Sequence, residues 1–270
     1  MPPQKGDNAY TGLSFFGKEK AYEKAIEVEK GQVYYLVLNN VYDNGKGHSI
    51  VFNYLKTINI KGSVSNTRND HSINAYVVWR NLRNNEVFTK QQTNKKGDFI
   101  IKAITTNEAN SFPQYELCVY ADNFFPEYKI YTTEQMNSES IAPVNITLER
   151  IKKGYNNKAL GIIYFEPNGL ATTNKSEYVK RRLLKAMLTN SKIEIILEGH
   201  TNGMYPSTDV DFQLSLERAD VVKQYLITNG IDAARIQTKG LGSTSEIYQA
   251  PEDEQQEGAN RRVEVNFVKF

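Results

Sequence analysis

Three polar constellations in the second half of this chain carry residue types able to do chemistry. The first is Glu198-Gly199-His200-Thr201-Asn202, the second runs from Leu214-Ser215 to Arg218-Ala219, and the third is Asn260-Arg261-Arg262. Arg218 offers a planar fork of donors that can hold a carboxylate in a bidentate pair. A helix starting at Leu214-Ser215 adds unpaired backbone N–H groups that favour an anion, with Arg218 one turn further on. His200 invites an enzymatic reading, but Ser215 and Asp220 flank a helix start and form no evident relay with it. His48 and His71 belong to other regions, and Cys118 is the only cysteine. A metal site needs further ligands at plausible spacing, and none is apparent. These groups point to a pocket that reads a small charged ligand, with no catalytic set, no metal and no cofactor. His200 and Ser215 read as structural support, the imidazole fixing its loop by hydrogen bonds. In Arg261-Arg262, at a strand start, alternation sends one side chain to the core and the other to solvent.

The elements that must position these groups change character along the chain. Residues 32–39 (QVYYLVLN) form a strand signal, and the turn Asp43-Asn44-Gly45-Lys46-Gly47 leads to Ser49-Ile50-Val51-Phe52, a β-hairpin pattern. Seven strand signals follow at 57–64, 74–81, 86–93, 98–103, 114–121, 128–133 and 144–148. Short, regular turn spacing makes this an all-β sandwich. Cys118 lies within the apolar QYELCVYA strand as a small buried hydrophobe. Lys152-Lys153-Gly154-Tyr155-Asn156-Asn157 marks a linker. Beyond it the period switches to an α/β alternation. Strands are expected at 161–165, 193–199, 235–239 and 262–268, and helices at 176–189 and 214–228. The first helix sets Leu183, Leu184, Met187 and Leu188 on an apolar stripe, and a basic cluster, Lys180-Arg181-Arg182 with Lys185, on a solvated outer face. The acidic stretch 251–258 (PEDEQQEG) reads as a solvated loop.

Composition bounds the partners. Lys plus Arg (33) nearly balances Asp plus Glu (31) over 270 residues, so nothing argues for nucleic acid or an anionic membrane surface. Tyr (17) and Phe (12) are plentiful, in keeping with much β structure. No apolar run reaches the length of a membrane-spanning helix. The polar start lacks a signal-peptide layout, so the chain is either cytoplasmic or a piece of a longer exported protein.

Several ordered motifs carry resemblances. Gly161 to Phe165, Glu198-Gly199-His200-Thr201, Leu214-Ser215-Leu216-Glu217-Arg218-Ala219, Lys239-Gly240 and Asn260-Arg261-Arg262-Val263-Glu264-Val265 together resemble the OmpA-like peptidoglycan-binding domain. That resemblance implies a two-layer α/β sandwich at 158–270, a periplasmic place in the cell envelope, and a non-covalent hold on the diaminopimelate-containing stem peptide of peptidoglycan. Arg218, Thr201 and Arg262 are then ligand contacts, and Asn260 and Arg262 brace the site loop. Asn202 stands where the family has Asp, so the loop's Asp209 or Asp211 is expected to restore the lost acceptor. Residues 56–151, with Ile60-Lys61-Gly62-Ser63-Val64, Gly97-Asp98-Phe99 and Tyr115-Glu116-Leu117, resemble the carboxypeptidase regulatory-like, transthyretin-like sandwich. Residues 1–55 look like the end of a jelly-roll module. This domain order resembles wall-tethering components of the type 9 secretion and gliding machinery of Bacteroidota. It implies outer-membrane or secretion-complex proteins as partners and an outer-membrane association through parts outside this sequence. The rival reading is a protein–protein adaptor with a non-binding pocket.

Overall fold

A computed structural model of the chain describes residues 55–83, 85–106, 113–137, 141–203 and 207–269. The expected hairpin and jelly-roll end lie outside the described residues.

The alternating segments fold as the strands β1 (Leu55–Asn66), β2 (Tyr76–Asn81), β3 (Val87–Gln92), β4 (Asp98–Thr106), β5 (Pro113–Tyr120) and β6 (Glu127–Thr132). A short helix α1 (Thr133–Asn137) and then β7 (Val144–Leu148) complete this all-β part. One sheet runs β4-β1-β7, with β1 and β7 parallel, and the other runs β3-β2-β5-β6. Ile60, Phe99, Ile101 and Ile146 of the first sheet share one core with Val77, Trp79, Tyr115 and Leu117 of the second. Trp79 and Tyr115 stack at 5.4 Å between centroids. Cys118 lies outside this core, on the second sheet's other face, beside Val78 and Tyr120. Burial pushes its thiol up to about 11.

The mixed part comprises β8 (Gly154–Tyr155), α2 (Asn157–Leu160), β9 (Ile163–Tyr164), α3 (Asn174–Thr189), β10 (Glu194–Gly199), α4 (Asp209–Thr228), β11 (Ile236–Gly240), α5 (Glu254–Asn260) and β12 (Arg262–Lys269). Its sheet runs β11-β10-β12-β8, with β9 also paired to β12 and β10 parallel to β11. The stretch expected as a linker is therefore part of the sheet edge, Gly154 and Tyr155 pairing with Phe267 and Asn266. Asn156 turns the chain there, donating from Nδ2 to the carbonyls of Lys152 (2.7 Å) and Gly154 (3.1 Å). Val179, Leu183 and Met187 of α3 and Ala219, Val222 and Leu226 of α4 bury against Ile195, Leu197, Val263 and Phe267. Leu188, expected on that stripe, is exposed: the buried face of α3 runs through 179, 183, 186 and 187.

The basic cluster on α3 is the larger correction. Arg181, Arg182 and Lys185 face the all-β part, not solvent, and Lys180 is buried within the mixed part, bonded to Thr172 (2.9 Å) and Glu177 (2.6 Å). Arg182 is buried, and its Nε donates to the Pro126 carbonyl (2.9 Å) while Nη1 serves the carbonyls of Ala159 (2.7 Å) and Leu160 (3.1 Å). Its Nη2 pairs with Glu127 at 2.5 Å, and Tyr178 donates to the same carboxylate at 2.7 Å. Arg181 and Arg80 both bind Glu116, which is completely buried, Arg80 Nε at 2.7 Å. Lys185 sits 3.5 Å above the Tyr120 ring and Arg181 4.7 Å from the Tyr128 ring. Aromatic faces, the buried Glu116 of β5 and the half-buried Glu127 of β6 thus take up the charges of Arg181, Arg182 and Lys185. An amphipathic pattern cannot distinguish a polar face bound for water from one bound for another part of the same chain.

Removing one partner of a buried charge network leaves the others uncompensated. Arg182→Ala is expected to lower the unfolding free energy by about 3 kcal/mol or more. Urea denaturation checks this, and a loss under about 1 kcal/mol, the value of an exposed pair, would refute the keystone role of Arg182.

Candidate functional site

The site grows from the ends of β10 and β11, whose last residues Gly199 and Gly240 are paired in register. A Cβ on Gly199 would lie 1.8 Å from the Ser215 carbonyl oxygen, and one on Gly240 would lie 2.4 Å from that of Phe212. Only glycine allows the α4 backbone this close to both strand ends. Ser215, fully buried, locks the contact, donating to the Phe212 carbonyl (2.8 Å) and accepting from the Gly242 N–H (2.9 Å).

Helix α4 starts five residues earlier than its apolar pattern suggests. Thr208 is its N-cap and Asp211 the third helical residue, each side chain binding the other's backbone N–H in a capping box (Asp211 Oδ2 accepts from Thr208 N at 2.9 Å). This overturns the expected anion site at Leu214-Ser215, because those N–H groups lie inside the helix. Arg218 is in the third turn, beneath the loop that leaves β10.

Arg218 is almost wholly buried. Its Nη1 donates to the His200 carbonyl (3.2 Å), Nε to Gly169 (3.2 Å) and Nη2 to Glu166 (3.5 Å), with its guanidinium 5.4 Å from the Phe165 ring. Burial, with the nearby Arg261 charge, pushes it down to about 10, so it stays cationic at neutral pH. Among the described residues no carboxylate pairs with it. A buried guanidinium facing only carbonyls lacks the counter-charge that such groups need.

Asn260 is the fixed point of the adjoining loop. Its Oδ1 accepts from the N–H groups of Ile247 (2.8 Å) and Tyr248 (3.0 Å), and its Nδ2 donates to the Tyr248 carbonyl (2.7 Å) and Asn202 Oδ1 (2.9 Å). Arg262 holds the same loop through the Ser245 carbonyl (3.0 Å) and pairs with Glu264 (2.6 Å). Neither Arg261 nor Arg262 reaches solvent: both are buried, Arg261 paired to Glu254 and Glu257 of α5. The acidic segment expected as a loop is that helix, N-capped by Asp253, whose Oδ1 accepts from Gln256 N at 2.8 Å. The Asp-x-x-Gln spacing was the available signal.

The remaining candidates have separate fates. Thr201 is buried, its N–H bonded to the Gly242 carbonyl (2.9 Å) and its hydroxyl without a partner among the described residues. Asp209 is exposed on the first turn of α4. His200 is buried with both ring nitrogens unbonded among the described residues. The loop is held through its carbonyl by Arg218 and its N–H by Arg262 (2.8 Å to the carbonyl), not through the imidazole as expected.

Residues 164–261 match the model of the OmpA family; the C-terminal part of the chain is an OmpA-like domain. The peptidoglycan-associated lipoprotein of Buchnera aphidicola subsp. Baizongia pistaciae is 28% identical over 149 residues, 55% of this chain and 82% of that protein. The probable lipoprotein YiaD of Escherichia coli (strain K12) is 44% identical over 59 residues, 22% of this chain and 26% of its own length. The crystal structure of the peptidoglycan-associated lipoprotein from Burkholderia pseudomallei covers 42% of this chain and 96% of its own, at 18% identity and a TM-score of 0.34.

Burial, reinforced by the Arg262 charge and partly opposed by Glu264, pushes His200 down to about 4. A depressed histidine gives stability that is complete above its unfolded value of about 6.5 and is lost as pH falls toward 4, where the unfolded chain binds the proton first. The melting temperature is therefore expected to fall more steeply between pH 6.5 and 4 in the unmodified protein than in His200→Gln. Equal slopes would refute the burial of a neutral imidazole.

Proposed function

We propose that this chain is a non-catalytic periplasmic anchor whose OmpA-like domain binds the diaminopimelate-containing stem peptide of peptidoglycan. The observation that carries this reading is Arg218: a buried, charged fork with carbonyls around it and, among the described residues, no carboxylate of its own. A ligand carboxylate supplies the missing counter-charge, and a bidentate pair is the geometry a guanidinium favours. Thr201, one residue past the carbonyl that Arg218 holds, keeps a free buried hydroxyl, and Arg262 a free buried Nη1, so both are further donors for the ligand. The match to the OmpA family and the likeness to a peptidoglycan-associated lipoprotein support the same role.

Catalysis has no support in the geometry. The Ser215 hydroxyl is engaged by Phe212 and Gly242, and the His200 ring bonds to neither it nor a carboxylate, so no nucleophile–base pair exists here.

The all-β part, read as a transthyretin-like regulatory domain, carries the partner: an outer-membrane or secretion-complex protein, of the type 9 system in Bacteroidota by the resemblance of domain order. The charge network on α3 supports this, because it joins the partner-bearing part to the wall-binding part. A rival reading, an adaptor with a degenerate pocket, draws on Asn202, whose Oδ1 is already engaged by Asn260.

Calorimetric titration of the whole chain with a diaminopimelate-containing tripeptide tests the anchor. Saturable heat is expected, weakened about tenfold or more in Arg218→Lys, which keeps the charge but loses the fork. Melting curves of the variant confirm that it is folded. An absence of heat from the unmodified chain at millimolar peptide would overturn the anchor and leave the adaptor.

A further inference from the structure

A ligand with an ammonium group is held best by a charged acceptor, which Asn202 is not. The orientation of the Asn260 amide is fixed by two N–H donors at its oxygen and the Tyr248 carbonyl at its nitrogen. Its remaining N–H therefore goes to Asn202 Oδ1 (2.9 Å), so that oxygen is already engaged. The other polar atom of the Asn202 amide, Nδ2, is a donor, suited to an anion and not to an ammonium.

The two aspartates of the neighbouring segment do not fill the gap. Asp211 is held in the capping box by the Thr208 N–H and hydroxyl (2.7 Å), and Asp209 is exposed on the outer first turn. Glu246 is placed differently. Its Oε1 accepts from the Gly203 N–H at 3.0 Å, one residue past Asn202, and its side chain is half-buried. Asn260 holds the next residue, Ile247, by its N–H. The carboxylate is thus held beside the Asn202 loop by the Gly203 N–H, with the backbone that follows it anchored on Asn260, and its Oε2 has no hydrogen bond among the described residues.

We infer that Glu246 is the specificity-determining residue that receives the ligand's ammonium in place of Asn202. This rests on the stem-peptide reading of the site. The loop from 200 to 203 then divides the ligand's charges: Arg218 beneath it and the Asn202 amide take the carboxylate, while Glu246 takes the amine. A charge-assisted bond of this kind is roughly twice as strong as the neutral one Asn202 could offer.

Glu246→Gln tests this cleanly, since the amide oxygen still accepts from the Gly203 N–H while the charge is lost. The whole chain and the variant are titrated with the tripeptide and with the same tripeptide acetylated on the diaminopimelate amine. In the unmodified chain acetylation is expected to weaken binding about tenfold or more. In Glu246→Gln the intact peptide is expected to bind as weakly as the acetylated one, with an unchanged melting temperature. An acetylation penalty that persists in Glu246→Gln, or a variant that binds the intact peptide as the unmodified chain does, would overturn the role of Glu246 while leaving the anchor standing. Failure of both peptides to bind the unmodified chain would overturn both.

Discussion

The geometry of the site depends on how closely one helix approaches two strand ends. Gly199 and Gly240 leave room for α4 where any side chain would meet the Ser215 or Phe212 carbonyl. This close approach carries Arg218 under the loop that leaves β10, within reach of the His200, Gly169 and Glu166 carbonyls. A side chain at either glycine would push the helix outward and withdraw the guanidinium. The arrangement of these groups is therefore a consequence of packing between backbones, on which their positions depend.

Two buried arginines, one on each helix, illustrate opposite ways of treating a charge removed from water. Arg182 meets a carboxylate and three carbonyls, and the charge joins the all-β part to the mixed part. Among the described residues Arg218 hydrogen-bonds carbonyls only, with no carboxylate to balance its charge. Desolvation penalises both, but only the first is offset within the protein. The same residue type, similarly buried, is thus treated in two ways, separated by the presence or absence of an acidic neighbour among the described residues.

The loop holding these groups is built from amides more than from charges. Asn260 satisfies all its hydrogen-bonding capacity, tying Asn202 on one side to Ile247 and Tyr248 on the other. Buried networks of this kind stay ordered only when every member is satisfied. The His200 ring, the Thr201 hydroxyl and Arg262 Nη1 are exceptions among the described residues, and burial keeps the imidazole neutral.

Much of this was legible in the chain. Alternating apolar residues placed all seven strands of the first part, and the 3.6-residue period placed α3 and most of α4, because both patterns record which face is buried. The motifs around His200, Arg218 and Asn260 marked the residues that meet at the site. The sequence could not tell where charged faces end up. Lys180-Arg181-Arg182 reads as a solvated surface, yet Glu116 and Glu127, more than fifty residues earlier, draw Arg181 and Arg182 inward. Nor could it orient the Asn202 amide or set Glu246 against the Gly203 N–H, since those outcomes turn on hydrogen bonds between distant segments. Local periodicity fixed the elements; long-range pairing of charges and amides, invisible to any short window of sequence, decided which polar groups are engaged.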